Sequence, residues 1–232
     1  MKRFVCSIVL LLASALAVVA QEHEYIQVDW YPLLTDSVGW NITSGGLAFG
    51  FVDGISQEAD VKMESSFEIS WLNVIGAKYN TGHGQRISVG LGIDWKNYKL
   101  KSTQRFVVNE AGVSVSTYPD AATHRKSRVK VFALELPILF RQRIFSHFDL
   151  LVGEVTNFNV HASVLTTYVC DNKKVRQCVT KGLHRSPVTF DLIAGVNYRK
   201  IGAYVRYSPC RVFKKGYGPM LQTLSVGVAL GL

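Results

Sequence analysis

The sequence predicts an all-β chain, an eight-stranded antiparallel up-and-down transmembrane β-barrel. Three observations lead there. After residue 20 the apolar side chains recur with period two rather than with helical spacing. Eight such runs are joined by connections that alternate short and long, as in barrels with tight turns at one end and longer loops at the other. No later run reaches the roughly 18 apolar residues of a membrane helix, so a chain living in lipid must cross it as a closed barrel.

Residues 1–20 read as a secretory signal peptide. Lys2 and Arg3 precede the run FVCSIVLLLASALAVVA, and small residues place cleavage near Ala20. Those twenty residues hold two bases and no acid, so their removal lowers the formal net charge from +9 to +7. Cys6 leaves with them. Residues 21–40 are expected to be a periplasmic lead-in, and residues 41–232 the outer-membrane barrel domain.

The strands are expected near 41–52, 63–79, 85–101, 128–142, 146–161, 186–199, 201–212 and 220–232. Short turns fall at NTGHG, around Ile144–Phe145 and at Lys200. Long connections fall at 53–62, 102–127, 162–185 and 213–219, and the second of these is expected to carry a hairpin about Asn109–Gly112. Eight strands, an even number, put both ends of the barrel on the periplasmic side. Strands longer than the roughly 9–11 residues of a crossing extend into the outer loops.

Each strand sorts its residues by parity. In the fourth, Phe132, Leu134, Leu136, Ile138 and Phe140 oppose Ala133, Glu135 and Arg141. In the third, Ile87, Val89, Leu91, Ile93 and Trp95 oppose Arg86, Gly90, Gly92, Asp94 and Lys96. The second sets Phe67, Ile69 and Trp71 against Glu68 and Ser70. The sixth and seventh put Asp191, Gly195, Gly202, Tyr204 and Arg206 on the charged face. The last strand alternates Leu224, Val226, Val228 and Leu230 with small residues. In the fifth, Glu154 shares parity with Phe148, Leu150 and Val152, which leaves its facing open.

Alternation alone fits a soluble barrel with the large apolar residues inside, or a membrane barrel with them outside. Two details favour the second. Glycines on the charged face suit a narrow lumen crossed by long side chains and would only weaken a solvated strand. Aromatics fall near strand ends, as in interface girdles: Trp40, Tyr79, Trp95, Tyr98, Phe140, Phe145, Tyr198 and Tyr207. The lumenal charge network is then expected from Glu68, Arg86, Asp94, Glu135, Arg141, Asp191 and Arg206, with opposite signs pairing to fill the interior.

The signal peptide, the SFEISWLN, RISVGLGIDWKNY and LELPILFR strands and the glycine-alternating end together resemble the small outer-membrane β-barrels of the PorT-like, Bacteroidota type. Their architecture is akin to OmpX- and OmpA-type barrels. The resemblance covers roughly residues 40–232, and the chain departs from it by ending on Leu232 where many such barrels end on an aromatic. It implies the outer membrane of a Gram-negative bacterium and permits an export-accessory role.

No catalytic site is assigned. His161 and Ser163 form a His-x-Ser pair of the kind some lipid A deacylases carry, with Glu154 the close acid in sequence, and so a lipid A-modifying hydrolase is the alternative reading. A soluble periplasmic barrel holding an apolar ligand is a third. No metal-binding spacing occurs, and no cofactor is expected. Cys170 and Cys178 bracket DNKKVRQ in an exported loop, where a cross-strand disulfide is the favoured expectation and two unpaired thiols the alternative; Cys210 stands alone. The expected partners are membrane lipid and lipopolysaccharide, met by basic loop residues such as Arg125, Lys173, Lys181, Arg185 and Lys214. The barrel assembly machinery and an unidentified loop partner join them. Export argues against nucleic acid.

Overall fold

The computed structural model describes residues 38–55 and 66–231. The expected signal peptide, residues 21–37 of the expected lead-in, residues 56–65 and Leu232 lie outside the described residues. Eight strands form a closed antiparallel ring: β1 (Gly39–Gly54), β2 (Ser66–Asn80), β3 (Gln85–Lys99), β6 (Thr123–Phe145), β7 (Phe148–Cys170), β9 (Val188–Tyr198), β10 (Ile201–Ser208) and β11 (Thr223–Leu230). Each of these pairs with its neighbours in sequence, and β1 pairs with β11 to close the wall. Three further strands lie outside the ring. β4 (Gln104–Asn109) and β5 (Gly112–Thr117) form the expected hairpin, and β8 (Lys173–Val179) adds to the free edge of β7.

Short connections gather at one end. Gly82 and Gly84 take positive φ between β2 and β3, and Arg199 takes φ 55° in the two-residue turn that pairs Tyr198 with Ile201. Positive φ suits the tight, twisted turn of a β-hairpin. The other end carries the long arms. β6 and β7 have 23 residues each and pair from Phe145–Phe148 out to Thr123–Val169. Two of the strand limits expected from sequence are therefore too short. The segment read as loop 162–185 is largely the outer half of β7 followed by β8.

The wall is apolar outside over its turn-side half. Leu47, Phe49, Ile69, Trp71, Leu91, Ile93, Leu134, Ile138, Val152, Leu192 and Val228 are all exposed. Monomers in water do not keep so large a contiguous patch. An apolar band wrapped around a polar interior is the lipid-facing surface of a membrane-spanning barrel. Aromatics edge it. Trp40 lies 5.3 Å from Tyr79, and Phe148 lies 4.9 Å from Tyr198, both at the turn end. Trp95 stands at the arm end beneath Lys130 Nζ, 5.8 Å from its ring centre. Tyr98, expected in the girdle, instead points inward and is buried. It belongs to an apolar core that plugs the arm end, with Val129, Val131, Val164, Leu183, Phe213 and Leu221.

β7 settles its own facing. Leu151, Val155 and Asn157 are buried inside, while Leu150, Val152, Glu154 and Phe158 are exposed on the outer wall. Glu154 stands between Ile138 and Leu192 in the ladder, six residues from the start of its strand and inside the apolar band.

Candidate functional site: a charged lumenal layer

The lumenal layer is built from five strands whose inward parity meets at one height. β2 supplies Glu68 and Ser70, β3 supplies Asp94 and Lys96, and β6 supplies Glu135. β9 supplies Asp191, and β10 supplies Tyr204 and Arg206. All are buried. Arg206 is the hub. Its guanidinium donates through Nε to Asp191 Oδ2 at 2.7 Å and through Nη2 to Glu135 Oε1 at 2.6 Å and Asn157 Oδ1 at 3.0 Å. Asp94 Oδ2 lies 3.5 Å from the same Nη2. Lys96 Nζ donates to Asp191 Oδ2 at 2.6 Å and lies 3.4 Å from Asp94.

Hydroxyls add bonds to the two glutamates. Ser70 donates to Glu135 Oε2 at 2.6 Å. Glu68 accepts from Tyr204 at 2.8 Å and from Ser225 at 3.0 Å. Gly50 makes the Tyr204 contact sterically feasible: a Cβ at that position would stand 2.5 Å from the phenol oxygen. Three carboxylates, Asp94, Glu135 and Asp191, thus share two cations, while Glu68 is held by the hydroxyls of Tyr204 and Ser225. Buried charges persist when paired and hydrogen-bonded, and charge-assisted bonds to Lys96 and Arg206 meet most of that need here; Asp94 Oδ1 and Asp191 Oδ1 are buried without a hydrogen-bond partner among the described residues.

Of the seven residues expected in the network, five meet here: Glu68, Asp94, Glu135, Asp191 and Arg206. Arg86 and Arg141 do not. They stand opposite each other in the ladder at the turn end, where Arg86 forms an ion pair with Asp149, and Arg143 Nε lies 3.5 Å from that acid. An apolar layer of Leu72, Leu139, Leu151, Val155 and Ile193 is buried within the same wall. Lys96 and Asp149 join these ion pairs without being among the seven residues expected there. Lys96 lay on the charged parity of its strand, and Asp149 lay on the one strand whose facing parity left open. The glycines expected to make room for long side chains crossing the lumen have other close neighbours as well. A Cβ at Gly90 would meet the Asn73 side chain, and one at Gly195 would stand 2.7 Å from the Ala203 carbonyl oxygen.

The expected disulfide is corrected by register. Cys170 lies opposite Lys173, and Cys178 lies opposite Leu165. Five ladder steps, about 17 Å at a rise of about 3.3 Å per residue, separate them, beyond the reach of a bridge. Both are free thiols, as is Cys210. His161 and Ser163 lie beyond the apolar band on the outer face of β7. Glu154 is seven residues down the same strand, about 23 Å away at that rise, so these three do not assemble. Among the described residues no group of His, Cys, Asp or Glu is placed to hold a metal ion.

On the arms, Arg105 and Arg125 lie over Tyr118 at 6.0 and 5.7 Å from its ring centre. Burial holds the Tyr118 phenol above its usual range, against the pull of these two guanidiniums.

No protein-family model matches the chain, and no curated protein matches it. Among solved structures, it is similar to Ail, the attachment invasion locus protein of Yersinia pestis, at 9% identity over 81% of this chain and 99% of that one, with a TM-score of 0.36. It is also similar to Neisserial surface protein A, at 14% identity over 84% of this chain and 99% of that one, with a TM-score of 0.39. The barrel assignment rests on the chain's own strand register and exposure.

Proposed function

We propose that the protein is an integral outer-membrane β-barrel of a Gram-negative bacterium with a non-catalytic surface and envelope role. One observation carries the reading: the wall is apolar outside and charged inside over the same strands. Such a barrel is stable in lipid and not in water. The signal peptide expected from residues 1–20 would supply the export route. The layered interior supports a closed rather than conducting barrel, since eight strands enclose a space that side chains fill. The basic arms then stand outside the cell, and the short turns face the periplasm.

Membrane fractionation with a gel-shift assay tests this. The protein is expected to resist carbonate extraction and to migrate differently when unheated. Recovery in the soluble periplasmic fraction would refute the reading. Trypsin added to intact cells is expected to cut near Lys173 or Arg176; protection there with cleavage at NTGHG would invert the orientation.

A further inference from the structure

β7 changes partners as it leaves the apolar band. Its pairing with β9 ends at Phe158–Val188, and its pairing with β8 begins at Val164–Val179. Between those points the barrel wall has a gap of five residues on one edge, and residues 180–187 fold into it. Arg185 fills the gap from above: its Nε donates to the Asn159 carbonyl at 3.0 Å and its Nη2 to the Val160 carbonyl at 2.8 Å. Leu183 turns inward and is buried in the arm-end core. Lys214 joins from the β10–β11 connection, its backbone N–H donating to the His184 carbonyl at 2.8 Å.

The result is a cleft of about 480 Å³, with Lys181, His184, Arg185 and Lys214 in its lining and no carboxylate among the lining residues. Its volume is in the range of small-molecule sites. Val160 and Val188, both about half exposed, lie next to it at the top of the apolar band. Cations grouped in a concavity attract phosphate. Cations directly above a lipid-facing surface attract a phosphate that is carried on acyl chains.

We infer that this cleft is a binding site for the phosphate group of an outer-leaflet glycolipid, with the lipid's chains lying along Val160 and Val188. Lys181 and Lys214 supply the charge that meets the phosphate, and Arg185 holds the floor of the site in place. The inference rests on the outer-membrane reading, which supplies the lipid.

The test uses the full mature chain refolded in detergent, with bisphosphorylated lipid A as the probe and native mass spectrometry as the readout. The Lys181→Gln/Lys214→Gln variant is expected to bind it about twenty-fivefold more weakly, from two contacts of about fivefold each. A Lys173→Gln/Lys174→Gln variant loses the same charge from β8, outside the cleft, and is expected to stay within about twofold of the wild type. Dephosphorylated lipid A is expected to bind the wild type as weakly as lipid A binds the cleft variant. Equal affinity in the cleft variant and the wild type, or an equal loss in the β8 variant, would overturn the proposal. Competition by inorganic phosphate at the lipid's own concentration would also overturn it, in favour of a soluble-anion site. The unheated gel shift, measured on each variant, reports folding and the membrane reading separately from binding.

Discussion

Below Phe132 the barrel keeps charge inside and hydrocarbon side chains outside; above Lys130 the two trade places. Strand β6 shows both regimes on an unbroken parity. Its inward residues run Val129, Val131, Ala133, Glu135, and its outward residues run Arg128, Lys130, Phe132, Leu134. The turn-side half buries a charged layer, with Arg206 bonded to Glu135 and Asp191, beside an apolar one of Leu72, Leu139, Leu151, Val155 and Ile193. The arm-side half packs Phe213, Leu100, Val129 and Leu221 as a soluble domain would. The surrounding solvent explains the difference. Each half hides what its own surroundings would not accept, and one chain meets two solvents.

Arg206→Ala is expected to have the largest effect, and it acts on the turn-side half alone. It strips the shared guanidinium from Glu135, Asp191 and Asp94, and breaking such a buried network costs about 3–5 kcal/mol. Urea unfolding in lipid vesicles reads it, and a change under about 1 kcal/mol would mean that the layer is hydrated rather than sealed. Glu135→Ala is expected to exceed any single basic-arm substitution in the same assay.

Phe213→Ala attacks the other half. Loss of a buried phenyl ring costs about 3 kcal/mol. Hydrogen exchange is expected to quicken in β4, β5 and the outer part of β6, with β1 and β11 unchanged. Uniform quickening around the ring would show that the halves are one cooperative unit. In planar bilayers, the wild type is expected to give no steady conductance. Ion-selective steps that change with Glu135→Ala would reveal a path through the charged layer.

The smallest expected effect is a gain. Glu154 is a carboxyl side chain in the middle of the apolar band, flanked by Ile138 and Leu192. Glu154→Leu is expected to stabilise the barrel by about 1 kcal/mol, since acids on a lipid face cost less than the 2–4 kcal/mol of bases. A loss of stability would mean that Glu154 has a favourable contact in the membrane.

Much of this was legible before folding. Parity alone put Glu68, Asp94, Glu135, Asp191 and Arg206 on one face, because period two is fixed by the pleat of a strand. Height was not legible. Whether Arg86 meets Arg206 or Asp149 depends on stagger between strands, and bulges at Thr43/Gly45, Trp71/Ile75 and Phe132/Ala133 shift that stagger without a mark in the periodicity. The same holds for Cys170 and Cys178, which are close in sequence and separated by register. Tyr98 was misplaced because it sits just past the point where the faces trade roles. There, an inward tyrosine joins an apolar core and an outward one would join the girdle.

The exchange at Lys130 and Phe132 also fixes depth. Sliding the barrel inward by one outward-facing position would draw Lys130 into hydrocarbon, and sliding it outward would lift Phe132 into water. Both moves carry a penalty, and Trp95 beside Lys130 marks the same level on the next strand. The distance from there to the Phe148–Tyr198 pair at the turn end is thus a ruler written into the wall. A bilayer thinner or thicker than that ruler must deform to meet it.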